Sequence, residues 1–141
     1  MTQIITKDGF VHETYGGQRF PFAALWDGQD LPEDPFAILF EPDSDPFDLV
    51  PWFERVDLVV IPFGTSADGR GFSLARKLRL LGYRGRIRAQ GHILVDQFRA
   101  ALSVGIDEVE ISADQAQRMP QAQWQAVALD APRYQSRLRA A

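Results

Sequence analysis

The sequence predicts an α/β protein: repeated strand–helix units forming a small parallel sheet or half (β/α) barrel, with an N-terminal β-hairpin. Three observations carry this. From residue 36 onward, short apolar runs of strand length alternate with stretches of helical periodicity, at about 20–28 residues per unit. The helical stretches stop at Gly82 and Gly105, where a left-handed residue after the last turn is expected. The opening residues flank Asp8-Gly9, a two-residue turn signal.

The opening "QIITKDGFVHETY" reads as a hairpin, with Ile4 and Ile5 before the turn and Phe10 and Val11 after it. Residues 16–35 mix turn residues with Phe20, Phe22, Leu25 and Trp26, and read as an irregular covering segment docked through its aromatics. "FAILF" is the first strand of the repeat. A short helix follows, with Asp45 as N-cap, Pro46 as its first residue and Asp48 in its acidic first turn. "DLVVIPF" is apolar throughout, as a strand inside a sheet would be.

A helix over 72–81 places Leu74, Leu78 and Leu81 on one face and turns Arg76, Lys77 and Arg79 elsewhere. Next come a strand "RIRAQ", a helix near 94–104 presenting Leu94, Phe98, Ala101 and Leu102, and a strand "DEVEI". The segment "ADQAQRMPQAQWQAVAL" reads as helical on both sides of Pro120. Trp26, Trp52 and Trp124 read as core. Four strand–helix units are too few for a complete eight-stranded barrel but enough for half of one.

Length and composition bound the rest. A chain of 141 residues, 45% hydrophobic and 24% charged, is expected to form a single domain over 1–141. Its parts are a hairpin and covering segment at 1–35, the βα repeats at 36–130 and a tail at 131–141. The chain has no cysteine, which excludes disulfides, thiolate zinc sites and iron–sulfur ligation. The first twenty residues lack the layout of a secretory signal, and no apolar run is long enough to span a bilayer. A cytoplasmic location without membrane contact is expected.

The net charge of −4 is unevenly spread. Residues 1–67 carry 12 acidic and 3 basic side chains, whereas residues 68–99 carry 2 acidic and 8 basic. That basic island either pairs with the acidic remainder or presents a surface for anions or an acidic partner. A pI near 5.1 and the absence of a recognition motif argue against nucleic acid.

Two strands alternate charged and apolar residues. Arg86, Arg88 and Gln90 share one strand face, and Glu108 and Glu110 share another, so opposite charges are expected to pair across neighbouring strands. Such a polar face suits a barrel interior closed by a homodimer interface, or alternatively a wetted sheet edge.

The segment "FGTSADGRGFS" lies between a strand and a helix, the setting in which proteins hold phosphate. It matches neither strong motif. Gly64 and Gly69 have P-loop spacing, but Arg70 replaces the lysine and Gly71 the magnesium-binding hydroxyl. The dinucleotide fingerprint fails at Leu74, the third glycine position. Two readings stand. In one, Gly69, Gly71, the free N–H groups of the helix start and the Arg70 fork hold a small oxyanion or phosphate, with Asp68 or Ser73 capping the helix. In the other, the loop is only a tight turn.

Gln90, Gly91 and His92 are expected to emerge at the same sheet edge, where ligands of open α/β folds collect. His92 and Asp96 are four apart and could share a helix face, with Gln97 beside them. Two such groups do not make a metal centre, and no metal is expected. The candidate anion-binding set is therefore Asp68, Gly69, Arg70, Gly71, Ser73, Arg88, Gln90, His92, Asp96 and Gln97, with no catalytic residue assigned.

The block "FGTSADGRGFSLARKLR" with "GYRGRIRAQGHILVDQ" resembles a bacterial family, a domain of unknown function encoded beside assimilatory sulfite reductase and described as an oxidoreductase of sulfite reduction. The likeness falls on Asp68, Gly69, Arg70, Gly71, Phe72, Ser73, Ala75, Leu78, Arg79, Gly82, Arg88, Ala89, Gly91, Asp96 and Gln97. The segments "IITKDGFV" and "GIDEVEI" extend it over most of the chain. Two positions depart from the family pattern, His92 where aspartate is frequent and Val104 where cysteine is frequent.

The resemblance implies an accessory protein of sulfite reduction and sulfur assimilation, binding a reductase partner and an oxyanion or phosphorylated ligand at Asp68–Ser73. Two alternatives remain. One is an oxidoreductase using flavin or NAD(P), for which no fingerprint motif is present, with its site at the C-terminal strand ends. The other is a structural subunit without a small ligand.

Overall fold

The computed structural model describes residues 2–11, 15–27, 30–64 and 69–129. The expected site residue Asp68 and the tail 131–141 lie outside the described residues. Seven strands form one sheet in the order β2-β1-β7-β6-β5-β4-β3. They are β1 (Thr2–Thr6), β2 (Gly9–Val11), β3 (Arg19–Pro21), β4 (Phe36–Leu39), β5 (Val56–Phe63), β6 (Arg86–Gly91) and β7 (Glu108–Ser112). Strands β3 to β7 are parallel and lie in chain order. The hairpin β1–β2 adds two antiparallel strands beyond β7.

Neighbouring parallel strands in chain order, joined by right-handed crossovers, place every connection on the same face of the sheet. The connections from β4 onward are a 3-10 helix (Pro46–Trp52), α1 (Arg70–Leu80) and α2 (Val95–Ser103), followed by α3 (Ala113–Arg118) and α4 (Gln121–Leu129). The main core lies between them and the sheet. Ile38, Val59, Ile61, Ile87, Ala89 and Val109 meet Leu74, Leu78, Phe98, Leu102 and Trp124.

Local chemistry explains the element ends. Asp45 caps the 3-10 helix by accepting a hydrogen bond from Phe47 N at 3.0 Å, with Pro46 in the first turn. Gly82 and Gly105 take φ of +102° and +100° where α1 and α2 stop. The hairpin differs by one residue from the expected turn. Thr6 pairs with Gly9, so the loop is Lys7-Asp8 and Gly9 follows it at φ +113°.

The covering segment is more regular than its composition suggests, because β3 within it joins the sheet beside β4. Phe20 and Phe22 pack edge-on against Phe36 and Phe40, but Trp26 is 56% exposed and is not core. Helix α1 starts at Arg70, two residues before the expected 72, which puts Ser73 inside the helix and out of capping position. Arg79 is buried on it, not turned outward, because its guanidinium ties two loops together. It donates to the carbonyls of Tyr83, Gly85 and Gly105 and to Asp107 Oδ2, all between 2.8 and 3.0 Å.

The sheet is open but strongly curled. Neighbouring strands lie about 4.8 Å apart, so four steps of a flat sheet would separate β3 from β7 by about 19 Å. Arg19 of β3 nevertheless reaches Glu110 of β7 at 3.3 Å, which only a concave inner face permits. Ala37, Leu58 and Val60 line that face and are covered by Tyr15 and Leu39. A bulge in the β4–β5 pairing, where Phe36 faces Val56 and Ala37 faces Leu58, lets Asp57 turn out. There Asp57 accepts a hydrogen bond from the Tyr15 hydroxyl at 2.7 Å.

Tyr83 anchors the far end of α1. It is 2% exposed and donates to the Val56 carbonyl at 2.9 Å, and its burial pushes the phenol above its ordinary range. The unfolded chain releases that proton near pH 10, before the folded chain does. The stability contributed by the neutral phenol is therefore complete below about pH 10 and falls as pH rises beyond it. Tyr83→Phe is expected to cost about 0.5–1.5 kcal/mol at neutral pH. In urea melts at neutral and alkaline pH it should also flatten part of the loss above pH 10.

Candidate functional site

The carboxyl ends of β5 and β6 converge on Phe63. Gly91 pairs with Phe63 in the ladder and takes φ +111°, and a Cβ there would lie 2.7 Å from the Phe63 carbonyl oxygen. His92 N donates to that same carbonyl at 3.3 Å. The Phe63 ring in turn packs on the first turn of α1. A methyl on the buried Gly71 would overlap it, and Phe72 lies against it with ring centroids 5.2 Å apart. The first turn of α1 and the loop after β6 therefore both rest on Phe63.

At this edge Gly69 is the N-cap of α1, with φ −85° and ψ −5°. Having no side chain, it leaves the first-turn N–H groups without a cap of its own. Gly69, Arg70 and Ser73 are all exposed, on one side of the helix start. A Cβ on Gly69 would meet no described residue within 4 Å, in contrast to Gly71.

His92 is exposed in the link before α2, whose N-cap is Leu94, so it does not share a helix face with Asp96. Asp96 is exposed in the first turn of α2, a favourable place for a carboxylate. Gln97 has a structural task, since its Oε1 accepts the Leu94 N–H at 2.9 Å.

Arg88 and Gln90 belong elsewhere. Both point to the inner face of the sheet, where Arg88 is fully buried. Its Nε and Nη2 meet Glu108 Oε2 at 2.8 and 2.7 Å, and its Nη1 meets Glu110 Oε1 at 2.9 Å. Gln90 Nε2 donates to the other Glu110 oxygen at 3.0 Å. Arg86 Nε approaches Glu108 at 3.2 Å without hydrogen-bonding geometry. The pairing across β6 and β7 is as the alternation suggested, but the chain buries it unaided, so a subunit interface is not needed to cover it.

One feature escaped the sequence. Phe22, Ala23, Trp26, Glu41, Asp43, Ser44 and Asp48 line a cleft of about 480 Å³ beyond the end of β4. Trp26 stands edge-on to Phe22 with ring centroids 4.6 Å apart. The acidic bias of the first half of the chain was its only signal. Among the described residues no group of three or more histidine or carboxylate side chains is arranged to hold a metal ion.

The residues carrying the family likeness now divide. Gly71, Phe72, Arg79, Gly82, Arg88, Gly91 and Gln97 each have the packing, backbone or hydrogen-bonding duty described above. Ala75, Leu78 and Ala89 are buried in the core. Gly69, Arg70 and Ser73 remain, grouped at the α1 start, with Asp96 at the start of α2.

Fold and site define a singly wound α/β domain with an open carboxyl edge. The bacterial protein family of unknown function DUF934 matches residues 37–141, and the chain belongs to it. No curated protein and no solved structure matches the chain.

The inner cluster yields a direct expectation. Arg88→Met leaves two buried carboxylates without their main counter-charge, and a loss of about 3–5 kcal/mol is expected in urea unfolding. A loss below about 1 kcal/mol would mean that the cluster is not what holds the inner face.

Proposed function

We propose that this protein is an accessory component of sulfite reduction, binding a small oxyanion or phosphorylated ligand at residues 69–73 and acting with a sulfite reductase partner. Gly69 is the observation that supports the site. Its φ is one any residue adopts, and a side chain there would touch no described atom. The described residues thus give no reason for glycine, whereas a ligand lying against the backbone would. The N–H groups of the first turn and the positive end of an 11-residue helix favour an anion there, and Arg70 adds a planar fork of donors. The pathway rests on the resemblance of the 68–97 block to proteins encoded beside sulfite reductase.

Calorimetric titration with sulfite, sulfate and phosphate tests this reading. Gly69→Ala and Arg70→Ala are each expected to weaken binding about tenfold or more, or about 1.4 kcal/mol. The alanine at Gly69 should cost no more than about 1 kcal/mol of stability. Gly71→Ala behaves oppositely, losing about 1–3 kcal/mol by crowding Phe63. Binding unchanged in the first two variants would remove the site, and failure to associate with purified sulfite reductase would remove the partner.

A further inference from the structure

Two surface patches of opposite charge lie on neighbouring elements, and neither is satisfied by the described residues. The first is the aromatic cleft with the adjoining 3-10 helix. It carries Glu41, Asp43, Asp48 and Glu54, none of which forms an ion pair with a described residue. The nearby cation Arg55 is engaged elsewhere, donating to the Pro32 carbonyl at 2.7 Å and lying over Phe36 and Trp52. The second patch is the outer face of α1. Arg76 and Lys77 are exposed there, Arg84 follows, and none of the three pairs with a described residue.

Apolar side chains mark the same two places. The large exposed hydrophobics among the described residues are Trp26, Phe47, Val50, Leu80 and Leu94. Three of these, Trp26, Phe47 and Val50, sit on or beside the acidic patch, while Leu80, 73% exposed, lies one turn beyond Arg76 and Lys77 on α1. Unpaired charge around exposed apolar side chains has the anatomy of an interface with a polar rim.

We infer that a second copy of this chain covers these patches, in a two-fold dimer that seats the Arg76–Lys77–Leu80 face of α1 on the Trp26–Asp43–Asp48 cleft of its partner, and the reverse. An isologous contact needs two complementary patches adjacent on one surface, so that a two-fold axis can pass between them. The 3-10 helix and α1 touch, which meets that requirement. A guanidinium or ammonium entering the cleft gains both the carboxylates and the faces of Trp26 and Phe22. The contact uses the later turns of α1 and does not depend on the anion reading of Gly69 and Arg70.

Sedimentation velocity on the full chain tests it by exchange of charge. The wild type is expected to be a dimer whose dissociation constant rises about tenfold or more between about 0.1 and 1 M salt, as screening shortens from about 10 to about 3 Å. Arg76→Glu/Lys77→Glu and Asp43→Lys/Asp48→Lys should each be monomeric and folded by circular dichroism. Mixed one to one they should form a heterodimer, because both reciprocal contacts regain opposite charges. A wild type that stays monomeric overturns the inference, and so does a dimer indifferent to both variants or a mixture that fails to associate. Oligomers growing without limit would replace the two-fold contact by a head-to-tail one.

Discussion

The cluster of Arg88 with Glu108 and Glu110 governs the shape of this protein. It holds β6 to β7 across the inner face, and through Glu110 it draws in Arg19 from the opposite edge strand. Burying such charges costs several kcal/mol per ion unless each is paired and hydrogen-bonded. Here Arg88, Gln90 and Arg19 supply most of the partners that the two carboxylates need. A flat sheet would leave Arg19 too distant to contribute, so the curl and the cluster require each other. Helices cover the outer face alone, and within the concavity Tyr15 and Leu39 cover the apolar part of the inner one.

Much of this was legible in the sequence because single residues carried the signal. Asp45-Pro46 marked a helix start, Gly82 and Gly105 marked helix ends, and the alternation of Arg86, Arg88, Glu108 and Glu110 marked a paired inner face. What was not legible depends on contacts distant in the chain. Arg79 sits among other cations on an amphipathic helix, and only the approach of the loops at 83–85 and 105–107 decides that it is buried. β3 is three residues long and gains its strand character from β4. Trp26 looks like core by composition, yet the cleft beside it leaves it half in water.

The glycine-rich segment shows why motif residues need the fold before they are assigned to chemistry. Gly71 and Gly91 are forced by the approach of Phe63, and Gly82 by its backbone angle. Arg88, which by charge and place in the block suits an anion, is spent inside the sheet. Removing these leaves a small exposed set, Gly69, Arg70 and Ser73 at the start of α1 and Asp96 at the start of α2.

Phe63 has a consequence for how this edge would respond to anything bound there. Its ring wedges the first turn of α1 while its carbonyl group is the stop against which Gly91 and His92 rest. The first turn of α1 and the loop at 91–92 thus share one pivot, and neither shifts without loading the other. A molecule gripping the helix start would be felt at His92 through a single buried side chain and its own peptide group.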